Sequence, residues 1–100
     1  MILYNVTVKI ELDVHDDWLN WMKSAHIPEV MATECFLENR ICRLLEQDET
    51  DGITYSIQYL CDSPETLEKY QSEFAINLQK DHTSRYENKF MVFRTLMELV

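Results

Sequence analysis

The stretch Asp13–Met31, DVHDDWLNWMKSAHIPEVM, decides the fold because it predicts an amphipathic helix that directly follows a strand pattern. Asp13 is expected to cap this helix, and Ile27-Pro28 to end it, since the residue before a proline avoids the helical conformation. Pro28 can then open a second short turn at Pro28–Thr33. Before the helix, Ile2–Leu12 alternates apolar and polar residues, which is typical of a half-buried strand. The apolar residues of the helix recur at helical spacing: Trp18, Trp21, Met22 and Ala25.

The rest of the chain is predicted to form a hairpin, a second helix and a last strand. Strands are predicted at about 36–47 and at Ile53–Cys61, joined by the acidic turn DETDG, where Gly52 is expected to supply backbone freedom. Ser63-Pro64-Glu65 is a strong helix start, and this helix is predicted to reach about Asp81. A last strand is predicted at about 89–99.

The order βαββαβ predicts an α+β, ferredoxin-like fold. In this fold a four-stranded antiparallel sheet has the order 4-1-3-2, and both helices pack on one face. One domain is expected over residues 1–100, because one glycine and two prolines leave no flexible linker.

Composition restricts the partners that can be expected. The chain carries 18 acidic and 9 basic residues, for a net charge of −9, without the cluster of Lys and Arg that nucleic acids or anionic membranes require. No signal peptide and no apolar run of spanning length is visible, which predicts a cytoplasmic protein. The three cysteines lack CxxC spacing, so reduced thiols are expected, with neither a metal nor a cofactor.

The sheet face opposite the helices is the first candidate site. We expect Met91, Phe93 and Met97 of the last strand to pack under the helices, with the apolar sets of strands one and three. The opposite face then carries apolar residues and polar ones, of which Asn5, Thr7, Gln58 and Arg94 are the candidate site residues. Such a face predicts a homodimer in which two sheets stack. The polar residues would either form a satisfied network or line a ligand cavity.

Three side chains outside this polar set, and Arg94 within it, could carry chemistry. His26 could act as a general base, since imidazole titrates near neutrality, or could be a helix C-terminal residue favoured by the helix dipole. Trp18 and Trp21 could form one wall of an aromatic pocket or pack in the core. Arg94 needs a partner on an enclosed face, either an acid of the other subunit or the anionic group of a ligand.

Five motifs give the chain a resemblance to a known family: YNVTVxI, WLxWMKxxHIPEV, TYSIQY, LEKY and KFxxFRT. It resembles a small bacterial family described only as a domain of unknown function, within the dimeric α/β-barrel superfamily. The resemblance covers essentially the whole chain and implies a ferredoxin-like protomer and a homodimer, without an established activity. The superfamily includes cofactor-independent and haem-degrading monooxygenases, muconolactone isomerase-like enzymes and stress-responsive dimers.

The haem-degrading branch of that superfamily uses an Asn on strand one with a Trp and a His on the second helix. Asn5 and His82 fit two of these positions, but Tyr70 stands at the tryptophan position, so haem degradation is not expected. Three functions stay open. The protein could bind a small organic ligand such as an aromatic or oxo acid. It could be a cofactor-independent monooxygenase or isomerase, with His26 moving protons, or a structural dimer without turnover.

Overall fold

The computed structural model describes residues 1–100 and contains one four-stranded antiparallel sheet in the order β2-β3-β1-β4. β1 is central and pairs with β3 on one side and β4 on the other. The predicted order 4-1-3-2 is this order read from the opposite edge, so the prediction of a ferredoxin-like fold is confirmed. The strands have these bounds: β1 Ile2–Ile10, β2 Glu38–Arg43, β3 Ile53–Cys61 and β4 Phe90–Glu98.

The first helical stretch continues through Pro28 instead of ending there. It consists of α1 at His15–Trp21, a π-helical turn at Met22–His26 and α2 at Ile27–Ala32. Pro28 has no N–H, and its ring would clash with the carbonyl four residues earlier in a regular helix. The wider π turn directly before the proline relieves both problems. The expected end at Ile27-Pro28 is therefore wrong.

The start of α1 is also different from the prediction, because Asp13 does not cap it. Leu12–Val14 forms a 3-10 turn, and the capping position of α1 is Val14, without a side-chain hydrogen bond. Asp13 instead accepts a hydrogen bond from Lys89 Nζ at 2.7 Å. This bond ties the entry of the helical layer to the entry of β4.

The second helical stretch is two helices, α3 at Pro64–Glu73 and α4 at Ala75–Arg85. Ser63 caps α3 as predicted, since its hydroxyl accepts the backbone N–H of Thr66 at 3.2 Å. Phe74 leaves the helical conformation with φ −124°, which separates the two helices where one was predicted. None of the helices combines the length and the apolar composition that crossing a bilayer requires.

The core lies between the helices and one face of the sheet. β3 buries every second residue from Ile53 to Cys61, and Trp18 is fully buried beneath the first helical stretch. From β1 the buried apolar residues are Tyr4, Val8 and Ile10. The apolar residues of β1 and β3 therefore face the helices, as the sequence predicts.

β4 faces the opposite way to the prediction. Arg94 is paired with Val6 of the core-facing set, so the helix-covered face of β4 carries alternate residues: Phe90, Val92, Arg94 and Leu96. Met91, Phe93 and Met97 point away from the helices and are exposed. Both alternating sets of this edge strand are mainly apolar, and their pattern gives no basis for choosing between them.

The turn that leads into β3 needs Gly52 for space and not for backbone freedom. Gly52 does not have a positive φ. A Cβ atom at this position would lie 2.8 Å from the carbonyl oxygen of Ile10 and 3.1 Å from Cε of Lys9. The turn therefore packs against β1 more closely than any side chain permits.

We expect Gly52→Ala to lower the free energy of unfolding by about 1–3 kcal/mol, because the backbone of Ile10 must shift to admit the methyl group. Gln47→Ala, an exposed position in the same connection, is the control and should change stability by less than about 0.5 kcal/mol. Urea denaturation followed by circular dichroism measures both. Equal stability of the two variants would contradict the close approach.

Candidate functional site

The sheet face away from the helices, here called the bare face, holds a closed polar network. The Asn5 side chain donates to Thr7 Oγ1 at 3.0 Å and accepts from Ser56 Oγ at 2.5 Å. Gln58 Nε2 donates to Ser56 Oγ at 3.3 Å. The predicted neighbours Asn5, Thr7 and Gln58 thus lie together, and they bind one another through a serine that the prediction did not single out.

Apolar side chains surround this network on the bare face. Phe93 is 64% exposed and Met91 74% exposed, while Met97 is 39% exposed beside the half-buried Leu3 and Leu60. Contiguous exposed apolar groups are unusual on a monomer and mark an interaction surface. The bare face therefore has the composition of an interface with a satisfied polar centre.

Arg94 does not join the bare-face network, because it lies on the helix-covered face. Its side chain reaches the surface at the edge of the sheet, where the helical layer leaves it exposed. Arg40, Arg43 and Arg85 each lie within 4 Å of a carboxylate, whereas Arg94 is in no ion pair. The prediction that Arg94 shares a face with Asn5 and Gln58 is wrong, since the register of β4 turns it to the other side.

A pocket between the sheet and the helices brings Arg94 together with two histidines. Its volume is about 40 Å³, enough for two or three water-sized groups. The walls are mainly apolar and include three tyrosines: Tyr4, Tyr59 and Tyr70. The polar side chains that line it are His26, Gln79, His82 and Arg94, and no carboxylate lines it.

Trp18 fixes the orientation of His82 at the back of this pocket. The indole Nε1 donates to His82 Nε2 at 2.8 Å, and the bond is buried. Since an indole only donates, Nε2 must accept, and the neutral imidazole therefore carries its proton on Nδ1. Burial lowers the pKa of His82 to about 4, with further lowering from His26 and Arg94. His82 is accordingly neutral at pH 7.

His26 lies beside His82, with 5.9 Å between the ring centroids, and stacks on Trp21 at 4.9 Å. Its Nδ1 is buried and has no hydrogen-bond partner within the protein. Burial lowers the pKa of His26, while Asp81 acts to raise it and Arg94 to lower it. His26 therefore presents a neutral imidazole with one unpaired nitrogen.

The tryptophans support the pocket without lining it. Trp18 is in the core, as one of the two interpretations of the sequence has it, and is joined to the pocket by its hydrogen bond to His82. Trp21 is half-buried under the Arg85 guanidinium, which lies 5.3 Å from its ring centroid, and it backs His26. Each tryptophan thus positions one histidine.

The tyrosines of the pocket were missed by the sequence analysis. Tyr4 and Tyr59 occupy core-facing strand positions and Tyr70 the apolar stripe of α3, so all three read as packing residues. Burial raises the pKa of both Tyr59 and Tyr70, and neighbouring phenols raise each further. Their hydroxyls therefore stay protonated and can donate hydrogen bonds. The feature of the sequence that could have indicated this pocket is the phenol group, a polar group that recurs at buried positions.

The cysteines are free and show no arrangement for metal binding. Cys35 and Cys61 are buried, and Cys42 is exposed on β2. No three His, Cys, Asp or Glu side chains lie close enough together to hold a metal ion.

His15 lies at the start of α1 and is hydrogen-bonded on both sides of its ring. Its Nδ1 is 2.8 Å from a carboxylate oxygen of Asp16, and its Nε2 is 2.7 Å from the Tyr55 hydroxyl.

The sheet order, the helical layer and the pocket beneath it define a ferredoxin-like α+β protein with a small internal pocket. The chain belongs to the family described as Domain of unknown function (DUF4286), whose model matches residues 1–100. This confirms the resemblance to a family of unknown function. No curated protein matches the chain.

Solved structures share the fold at low sequence identity. A dimeric ferredoxin-like protein from an uncultured marine organism is 15% identical, with a TM-score of 0.69 over 100% of this chain and 95% of that chain. An ethd family protein from Bacillus halodurans is 12% identical, with a TM-score of 0.69 over 100% of both chains. An antibiotic biosynthesis monooxygenase is 14% identical, with a TM-score of 0.64 over 100% of this chain and 99% of that chain. These identities show the fold alone.

The neutral state of His82 predicts a stability that depends on pH. With a pKa of about 4 in the folded protein and about 6.5 in the unfolded chain, the unfolded state binds more protons between these values. The free energy of unfolding should therefore fall as the pH decreases from about 6.5 towards 4, with a slope of up to about 1.4 kcal/mol per pH unit from this residue.

His82→Gln keeps an acceptor for Trp18 Nε1 but cannot titrate, and it should flatten the pH dependence between about 5 and 7. Urea denaturation at several pH values measures the slope, and this window avoids the titration of most carboxylates. A slope identical to that of the wild type would contradict the assignment of this proton uptake to His82.

Proposed function

We propose that the protein is a homodimer that binds a small organic ligand in the pocket of each protomer. The observation that carries the binding function is the pocket itself, an apolar and tyrosine-lined space whose lining includes His26, with its unpaired Nδ1, and Arg94, which is in no ion pair. Polar groups without partners at an apolar pocket are the usual means by which a site orients a ligand.

The bare face supports the dimer. Stacking two copies about a twofold axis would bury Met91, Phe93 and Met97 against the bare face of the partner. The polar centre formed by Asn5, Thr7 and Gln58 is already satisfied within one protomer, which favours a filled interface over a ligand cavity at this face. A protein of the same fold that is described as dimeric adds weight to this assembly.

The ligand position that we propose thus differs from the sequence-based expectation of a site between two sheets. The pocket lies on the other side of the sheet, and its volume of about 40 Å³ is well below the roughly 300–1,000 Å³ of drug-sized sites. A ligand of a few non-hydrogen atoms fits as the pocket stands. A larger one requires the exposed Arg94 side chain or the half-exposed Gln79 to move.

A cofactor-independent enzyme is the second candidate, and the free Nδ1 of His26 favours it. A neutral imidazole beside a bound ligand can accept a proton from it, which is the role of a general base. Burial lowers the pKa of His26, so its ring carries a single proton near pH 7. When that proton is on Nε2, the Nδ1 atom is free to accept another. Tyr59 or Tyr70 would then be available to donate to a developing negative charge.

Dimerisation is tested by Phe93→Asp on the bare face. The wild-type protein should have twice the 12.0 kDa mass of one chain, and the variant should have the mass of the monomer. The reason is that burying an unpaired carboxylate weakens the dimer at least about a hundredfold. Size-exclusion chromatography with light scattering gives both masses. Ile76→Asp, which alters an exposed apolar residue of α4, is the matched control and should stay dimeric. A monomeric wild type would refute the dimer.

Ligand binding is tested by filling the pocket with Val6→Phe. Acetate, pyruvate and acetamide are titrated into the protein, and the imidazole signals of His26 and His82 are followed by NMR. We expect at least one probe to shift these signals in the wild type and in Val100→Phe, a control at a fully exposed residue, and to bind at least about tenfold more weakly in Val6→Phe.

Absence of any shift, or equal shifts in Val6→Phe, would contradict a ligand site in the pocket. The same pyruvate samples in deuterium oxide separate the two candidate functions. Exchange of the methyl protons above the buffer rate, lost in His26→Gln, would favour the enzyme, whereas binding without exchange would favour a binding protein.

A further inference from the structure

We infer that the pocket is selective for short-chain carboxylates, in particular small 2-oxo acids, with Arg94 binding the carboxylate and His26 facing the remainder of the ligand. This inference rests on the proposed ligand-binding function and specifies the chemical class of its ligand. Three independent features of the molecule support it: the charge at the pocket, the protonation of its walls and its size.

The charge at the pocket comes from Arg94 alone. No carboxylate lines the pocket, although the protein as a whole carries a net charge of −9. The guanidinium is free of ion pairs, unlike those of Arg40, Arg43 and Arg85. Its planar pair of N–H groups matches the two oxygens of a carboxylate. The Arg94 guanidinium is therefore available to bind a small anion, because no carboxylate of the chain forms an ion pair with it.

The walls near Arg94 offer neutral groups and not competing charges. Tyr59 and Tyr70 keep their protons, since burial raises the pKa of each. His26 and His82 are neutral near pH 7, because burial lowers the pKa of both, and the positive charge of Arg94 lowers each further. Asp81, outside the pocket lining, is the one acid that acts on His26.

This arrangement makes the histidines reporters of the ligand's charge. An anion bound to Arg94 cancels the positive charge that lowers the two imidazole pKa values, so both values should rise when a carboxylate binds. A neutral ligand of the same shape leaves the guanidinium charge in place. By linkage, the carboxylate should also bind more tightly as the pH falls towards the imidazole pKa values.

The size of the pocket limits the ligand to short acids. A space of about 40 Å³ admits two or three groups of the size of a water molecule. Acetate and pyruvate are of this order once their carboxylate lies at the exposed Arg94 end. A 2-oxo acid adds a carbonyl oxygen, to which a tyrosine hydroxyl can donate.

The test compares acetate and pyruvate with acetamide, the neutral isostere of acetate, in the wild type and two variants. Arg94→Gln removes the guanidinium, and Lys80→Gln removes one positive charge from an exposed position of α4 outside the pocket. Affinities come from NMR titration, and the pKa values of His26 and His82 from their imidazole signals with and without saturating acetate. Circular dichroism confirms that both variants are folded.

We expect acetate to bind at least about tenfold more tightly than acetamide in the wild type and in Lys80→Gln. Arg94→Gln should weaken acetate and pyruvate by about ten- to a hundredfold and leave acetamide within about twofold, because only the ionic hydrogen bonds are lost. Saturating acetate should raise the imidazole pKa values in the wild type and in Lys80→Gln, which both keep the guanidinium.

Two results would overturn the inference in distinguishable ways. If acetamide binds as tightly as acetate, or Arg94→Gln binds acetate as the wild type does, the carboxylate selectivity is refuted while the ligand pocket stands. If none of the three probes shifts the histidine signals, the inference and the proposed ligand-binding function both fail.

Discussion

The hydrogen bond from Trp18 to His82 is the interaction on which the pocket depends. A fully buried indole must place its N–H on an acceptor, because an unpaired donor in the core costs about 1–3 kcal/mol. His82 supplies that acceptor from α4, so the bond joins the two helical stretches across the core. It also fixes the ring and the tautomer of His82, against which Phe90 packs edge-on with 4.5 Å between centroids. One side of the pocket is therefore set by the need to satisfy a single buried donor.

The sheet separates two functions by its two faces. The bare face has its polar groups paired internally and its apolar groups outside, which suits contact with another protein surface. The covered face keeps polar groups without partners at Arg94 and His26, which suits contact with a small molecule. Because β1 contributes alternate residues to both faces, Asn5 and Val6 are neighbours in the chain and yet belong to different sites.

Much of the fold could be predicted from the sequence, since alternation in β1 and β3 and the helix start at Ser63 are strong local signals. The facing of β4 could not, because Met91, Phe93 and Met97 are about as apolar as Val92 and Leu96, and only the tertiary pairing with β1 distinguishes the two sets. The polar cluster of the bare face was predictable from the strand order. The pocket was not, because its residues come from both helical stretches and three strands, and a tyrosine at a core position looks like packing.

The π-helical turn shifts the phase of the first helical stretch. Its buried residues are Trp18, Met22, Ile27 and Val30, with spacings of four, five and three. A regular helix advances by about 100° per residue, so a step of five residues would turn Ile27 away from the core. The π turn accommodates one extra residue, and Ile27 therefore faces the core again. Without that extra residue, the position of Ile27 in the core would fall to His26. The π turn thus places a histidine at the edge of a pocket, where its ring can contact a ligand, instead of in the packing stripe.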